Sequence, residues 1–302
     1  MSSTQVALAG ATGNLGTPIL QALLNAGFSV TTLSRKGGNS SRLKPHSNLT
    51  IREVDFHSVE SLTQALLGTQ VVISCLATLA IGSQNPLIDA AVAAGVQRFI
   101  PAEFGMDSQN PFSAQLPVCA PKVATQKYLQ AKSSSNPGFT YTAIANGLFL
   151  DWGLEAGIIL DIPQHTATLY NGGDVPFSAT LLADVAKAVL GVIAHQPETA
   201  NRVVYVQSTV ATQNQLIWYA KEKDGREWDT VIKDTEQIRR ESLAELDKGT
   251  GADVDAAMLG FCICGSWNAE YGCDFSGHLD NALLGVTEMS EAEVRALVES
   301  YL

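Results

Sequence analysis

Apolar residues come in short runs through the first half of the chain, at residues 5–9, 29–33, 50–54, 71–76, 98–101 and 140–145. Runs of this length, rich in β-branched side chains, predict strands. Between them the apolar spacing becomes helical, at residues 17–26, 58–67, 86–94 and 119–132. Gly27, Gly68 and Gly95 follow three of these segments, where a helix C-terminus favours glycine. Several strands, VVISCL among them, are apolar at nearly every position rather than at alternate ones, as in a parallel sheet covered on both faces. Regular alternation of strand and helix predicts a doubly wound α/β fold.

Past residue 150 the rhythm changes. Helices are expected at residues 179–195, 213–223, 235–247 and 291–302, a strand at 202–207, and a loop at Gly172-Gly173. The SSSNPG segment at residues 133–138 reads as a loop between a helix and a strand. The pattern predicts a first domain over residues 1–150 and a smaller mixed α/β domain over residues 151–302, with helix 179–195 and strand 202–207 packing back onto the first. Residues 253–275, rich in aromatics and glycines, read either as the cap of a pocket or as packed surface.

Composition narrows the function. Of 302 residues 46% are hydrophobic and only 16% charged, which supplies a large core and excludes a disordered chain or a long coiled coil. A net charge of −11 leaves no overall basic field for nucleic acid or an anionic membrane. No apolar run reaches the ~18–20 residues of a membrane span, and the N-terminus lacks a secretory pattern, so a cytoplasmic location is expected. Cys75, Cys119, Cys262, Cys264 and Cys273 then read as free thiols. Cys262, Cys264, Cys273 and His278 lack CxxC-type spacing, and no metal is expected. The expected partner is a small molecule; a homodimer is left open.

The most specific local signal follows the first strand, where Gly10-Ala11-Thr12-Gly13-Asn14-Leu15-Gly16 leads into a helix. Glycines let the backbone turn tightly and approach a pyrophosphate, whose charge is met by the free N–H groups and positive dipole of the helix start. This is the dinucleotide loop of a Rossmann-type sheet. An NAD site would carry Asp or Glu at the end of the second strand. Here that strand ends in Ser34-Arg35-Lys36, two cations and a hydroxyl suited to a 2′-phosphate, so NADP(H) is the expected cofactor.

The segments GATGNLG, LSRK, VVISCLA with Gln84 after it, and above all GVQRFIPAEFG at residues 95–105 resemble the isoflavone reductase-like branch of the NmrA-like, atypical short-chain dehydrogenase family. The resemblance covers most of the chain and implies NADPH-dependent reduction of aromatic substrates such as isoflavones, phenylcoumaran benzylic ethers or lignans. It places Cys75, Leu76, Ala77 and Gln84 beside the cofactor. Ordinary short-chain dehydrogenases use a YxxxK pair, which is absent here because Val118 stands four residues before Lys122. The resembled branch also lacks that tyrosine and keeps a lysine on the helix after EFG. Lys122 matches it as catalytic or ribose-binding residue, with Lys127 and Lys132 as rivals on the same helix.

Hydride addition leaves negative charge that an ammonium can neutralise or protonate; a phenolic substrate can instead be activated by a neutral lysine. Glu103 and Phe104 end the fifth strand and Asn146 the sixth, positions that line the nicotinamide. Phe104, Phe149, Trp152 and Trp267 are expected pocket walls around an aromatic or polyketide-like substrate. Two other functions use the same scaffold: a redox-neutral isomerase or cyclase, and a non-catalytic NADP-sensing regulator.

Overall fold

The computed structural model describes residues 4–302. In its first half six strands, β1 (Gln5–Ala9), β2 (Ser29–Arg35), β3 (Leu49–Val54), β4 (Val71–Ser74), β5 (Arg98–Ile100) and β6 (Thr140–Ala145), alternate with helices α1 (Gly16–Asn25), α2 (Val59–Leu66), α3 (Asn85–Ala93) and α4 (Ala120–Ser135). Then follow β7 (Leu148–Phe149), α5 (Leu150–Glu155), β8 (Thr166–Tyr170), β9 (Phe177–Thr180), α6 (Leu182–Ala194), β10 (Arg202–Tyr205), β11 (Thr209–Ala211), α7 (Gln213–Asp224) and β12 (Asp229–Lys233). Helices α8 (Thr235–Leu246), α9 (Val254–Trp267), α10 (Asn281–Leu284) and α11 (Glu291–Glu299) complete the chain.

The main sheet is parallel throughout, in the order β10-β6-β5-β4-β1-β2-β3. Its two faces are separated by the two-residue period of each strand. Val6 and Leu8 of β1, with Val71 and Ile73 of β4, enter a core closed by Ile19 and Leu23 of α1 and Val185, Val189 and Val192 of α6. Ala7, Ala9 and Val72 point the other way, against Leu62 and Leu66 of α2, Leu87 and Ile88 of α3 and Leu129 of α4. Each Val, Leu or Ile so buried contributes about 1.5–3 kcal/mol, which is why these strands need no polar face. At the far edge β10 pairs with β6 and α6 packs on α1, so the sheet recruits a strand and a helix from beyond residue 150.

Arg98 of β5 is buried and donates to the Thr140, Thr142 and Thr199 hydroxyls and to Gln196 O. Burial lowers its pKa to about 10, and this fan of bonds ties β5 and β6 to the end of α6.

The remaining elements form a smaller region with sheets β11-β9-β7 and β12-β8 and a core around Trp267, Phe177, Leu216 and Val298. Two expectations are corrected there and at α4. The helix expected at 179–195 begins only at Leu182, because the residues before it form β9 and pair with β7 and β11. Ser133, Ser134 and Ser135 are helical, their hydroxyls donating to carbonyls three or four residues earlier. The 253–275 stretch is largely the helix α9, opened by an Asp253 side-chain cap on Ala256 N–H.

Candidate functional site

The carboxyl ends of β1, β2, β4, β5 and β6 meet along one edge, and β1 lies between β4 and β2, the reversal point at which such sheets bind ligands. Gly10 has φ +82, and a Cβ there would stand 2.2 Å from Cys75 O; a Cβ on Gly16 would stand 2.0 Å from Gly10 O. The loop therefore closes only with glycine at both positions. Gly13 and Asn14 are exposed, Thr12 and Leu15 partly so, and no side chain caps the start of α1, where Thr17 N–H bonds Gly13 O at 3.0 Å and Pro18 has no N–H to offer.

Ser34 and Arg35 end β2 and Lys36 follows. Both cations are exposed, and among the described residues neither pairs with a carboxylate. Cys75, Leu76 and Ala77 continue β4 on the other side of the loop, and burial pushes the Cys75 thiol up to about 12. Gln84 is fully buried and engaged within the chain: its amide donates to Ile81 O at 3.1 Å and accepts from Ala102 N–H at 3.0 Å. It braces the segment after β4 against the turn after β5.

That turn holds a dense polar cluster. Lys122, one turn into α4 and only 7% exposed, donates from Nζ to Glu103 O at 2.5 Å. Gly105 makes room for it, since a Cβ there would lie 3.2 Å from Nζ. Phe104 between them has φ +26, a strained value for a residue with a side chain. Glu103 Oε2 accepts from Gln126, whose amide also donates to Ser108 Oγ at 2.7 Å. Asn146 is held by its own N–H on Gly105 O and by Thr180 Oγ1, which donates to Asn146 O. Two buried oxygens in this cluster have no partner, Glu103 Oε1 and Asn146 Oδ1. An unsatisfied buried acceptor costs about 1–3 kcal/mol, so each is suited to receive an N–H from a bound ligand.

The rival lysines are elsewhere. Lys127 is exposed, and Lys132 pairs with Asp89 at 2.6 Å.

The expected pocket walls divide. Phe149 and Trp152 are half-buried and meet edge to face at 6.4 Å. Phe104 is buried and belongs to the core cluster that includes side chains of α1 and α6. Trp267 is corrected from wall to core: it is 1% exposed, packed between Tyr170 and Phe177. The face of α9 that reaches the site carries Cys262 instead; burial raises this thiol and the Lys122 ammonium opposes the rise. Met106 packs on Gly265 of α9, beside a small space of about 10 Å³ lined also by Ser178 and Phe275.

One pair escaped the sequence. Tyr205 O–H donates to Asp107 at 2.9 Å, with its ring against Phe275 and His278. Burial and the neighbouring Asp107 raise the phenol well above its usual range, which keeps it protonated. The signal was the strand ending at Tyr205: pairing with β6 sets Tyr205 opposite Ala145, at the edge that carries Asn146.

Residues 2–250 match the family model described as NmrA-like. An oxidoreductase of Aspergillus flavus, aprR, is 36% identical over 90% of this chain and 90% of its own, and poxI of Penicillium oxalicum, also an oxidoreductase by name, is 33% identical over 95% and 91%. The solved structure described as AtPrR2 with NADP+ and (+)pinoresinol superposes over 100% of both chains with a TM-score of 0.71 at 21% identity.

Proposed function

The chain belongs to the NmrA-like family, and from that premise we propose that it is an NADPH-dependent reductase acting on an aromatic or polyketide-like small molecule. The observation that carries the reading is Lys122, a buried amine held on Glu103 O beside two unpartnered acceptors at the ligand edge of the sheet. The names of the fungal relatives support an oxidoreductase, and the cofactor in the structural neighbour supports NADP(H).

The residues fit this cofactor. The loop from Gly10 through Gly16 admits a pyrophosphate at the positive end of α1, which no side chain caps, and Arg35 and Lys36 offer unpaired cations to a 2′-phosphate. Glu103 Oε1 and Asn146 Oδ1 are acceptors for a carboxamide N–H. When bound, the nicotinamide supplies a hydride. Lys122 has three N–H donors as an ammonium, of which Glu103 O takes one. The other two serve a ribose hydroxyl and the substrate oxygen, where they neutralise the charge that hydride addition creates. Phe149 and Trp152 give the substrate an apolar wall. Residues 1–150, completed by α6 and β10, hold the cofactor, and the rest of the chain closes over the substrate.

One feature favours the sensing alternative: Met106 packs against Gly265 and leaves only about 10 Å³ beside it. Stopped-flow absorbance of bound NADPH, mixed with a panel of aromatic enones, benzylic ethers and polyketides, separates the two. Loss of reduced-nicotinamide absorbance with at least one compound is expected; tight NADPH binding with no oxidation by any of them favours the sensor.

A further inference from the structure

The sheet of β8 and β12 leaves one edge of β12 open among the described residues. All five residues of β12 are exposed, Val231 at 56% and Ile232 at 69%. Its ladder shows which backbone groups are spare. Asp229 N–H donates to His165 O, and Lys233 O accepts from Asn171 N–H, in a register that sets Asp229 beside Thr166 and Lys233 beside Tyr170. In such a parallel ladder the odd-numbered residues bond to β8, and Thr230 and Ile232 turn N–H and C=O toward solvent. An exposed edge with apolar side chains is a template for another strand.

We propose that this edge pairs with a second copy of the chain, two β12 strands lying antiparallel about a two-fold axis at Val231. In that register Thr230 of each copy faces Ile232 of the other, and their outward groups form the hydrogen-bonded pairs. The two Val231 side chains meet at a non-hydrogen-bonded pair, where side chains come closest. Asp229 of each copy stands opposite Lys233 of the other, so both ends carry an opposite-charge pair. No ion pair among the described residues engages Asp229 or Lys233.

The charge order selects this arrangement. Parallel, in-register pairing stacks Asp229 on Asp229 and Lys233 on Lys233. An antiparallel shift by two residues sets a charge against Val231, and a shift by one calls on backbone groups already bonded to β8. A two-fold contact also closes on itself, giving a dimer rather than a filament. Five residues a side fall far short of the roughly 1,600 Å² of a standard interface, so the dimer is weak, concentration-dependent and salt-sensitive.

Sedimentation velocity of the full chain between about 5 and about 500 μM, at low salt, tests the pairing. The native chain should shift from monomer to dimer across that range. Asp229→Lys and Lys233→Asp each set like charges together at both ends and should weaken the dimer at least about tenfold, while the double variant should recover to within about threefold. Thr230→Pro removes an outward N–H without touching the bonds to β8 and should abolish the dimer. Circular dichroism confirms that each variant is folded. A chain that stays monomeric throughout, a dimer indifferent to the single reversals, or a double variant that fails to recover overturns the proposal.

Discussion

Lys122 Nζ lies 2.5 Å from the carbonyl oxygen of Glu103, so the amine on α4 is anchored by the backbone of the turn after β5 rather than by an acidic side chain. One carbonyl takes one of the three donors of an ammonium and leaves two, whereas a carboxylate would compete with substrate for them.

Lys122→Met should cut turnover by about 10²- to 10⁴-fold with the fold intact, since it removes the positioned proton donor. Lys127→Met, at an exposed site, should be nearly silent. Steady-state rates on any identified substrate, alongside thermal unfolding, check both.

Gly105→Ala tests the same lysine without removing it. The new Cβ would lie 3.2 Å from Nζ and displace the amine by a few tenths of an ångström. A misplaced catalytic group should lower kcat about tenfold and leave KM close to native. Equal loss from both parameters would contradict the placement.

Arg35→Ala should weaken NADPH binding by about 1–3 kcal/mol and leave NADH binding unchanged, because the guanidinium would meet only the 2′-phosphate. Calorimetric titration with both cofactors reads the difference. Equal affinities in the native chain would contradict the choice of NADP(H).

Tyr205→Phe removes the O–H that Asp107 accepts and should cost about 1–2 kcal/mol of stability near neutral pH. The native phenol is raised above its ordinary value of about 10, by burial first and Asp107 second. Its contribution to stability is complete below that value and is lost as pH rises past it, because the unfolded chain ionises first. Denaturant melts above pH about 10 should show a shallower alkaline decline in the variant than in the native chain.

The sheet was legible because glycines punctuate uniformly apolar strands, and the strand at residues 140–145 was located to the residue. The loop from Gly10 to Gly16 was legible for the same reason: two of its glycines have no room for a Cβ. Choosing Lys122 over Lys127 and Lys132 required family resemblance, since helical spacing alone does not say which lysine meets a turn about twenty residues earlier. Helix α9 was hidden because it is apolar on most sides and lacks a polar stripe to set its period. Trp267 was misplaced because an aromatic in a glycine-rich stretch reads equally as wall or core, and only its packing with Tyr170 and Phe177 decides. Tyr205 and Asp107 are 98 residues apart and meet only through the pairing of β10 with β6.

The most direct test of the central claim follows the hydride itself. The protein is incubated with NADPH deuterated at C4 and the panel of aromatic enones, benzylic ethers and polyketides, and products are examined by mass spectrometry and NMR. The account predicts one deuterium at a reduced carbon of the product, with one NADP+ formed per turnover and the signal lost in Lys122→Met. A transformed product free of deuterium, formed without cofactor oxidation, would contradict it.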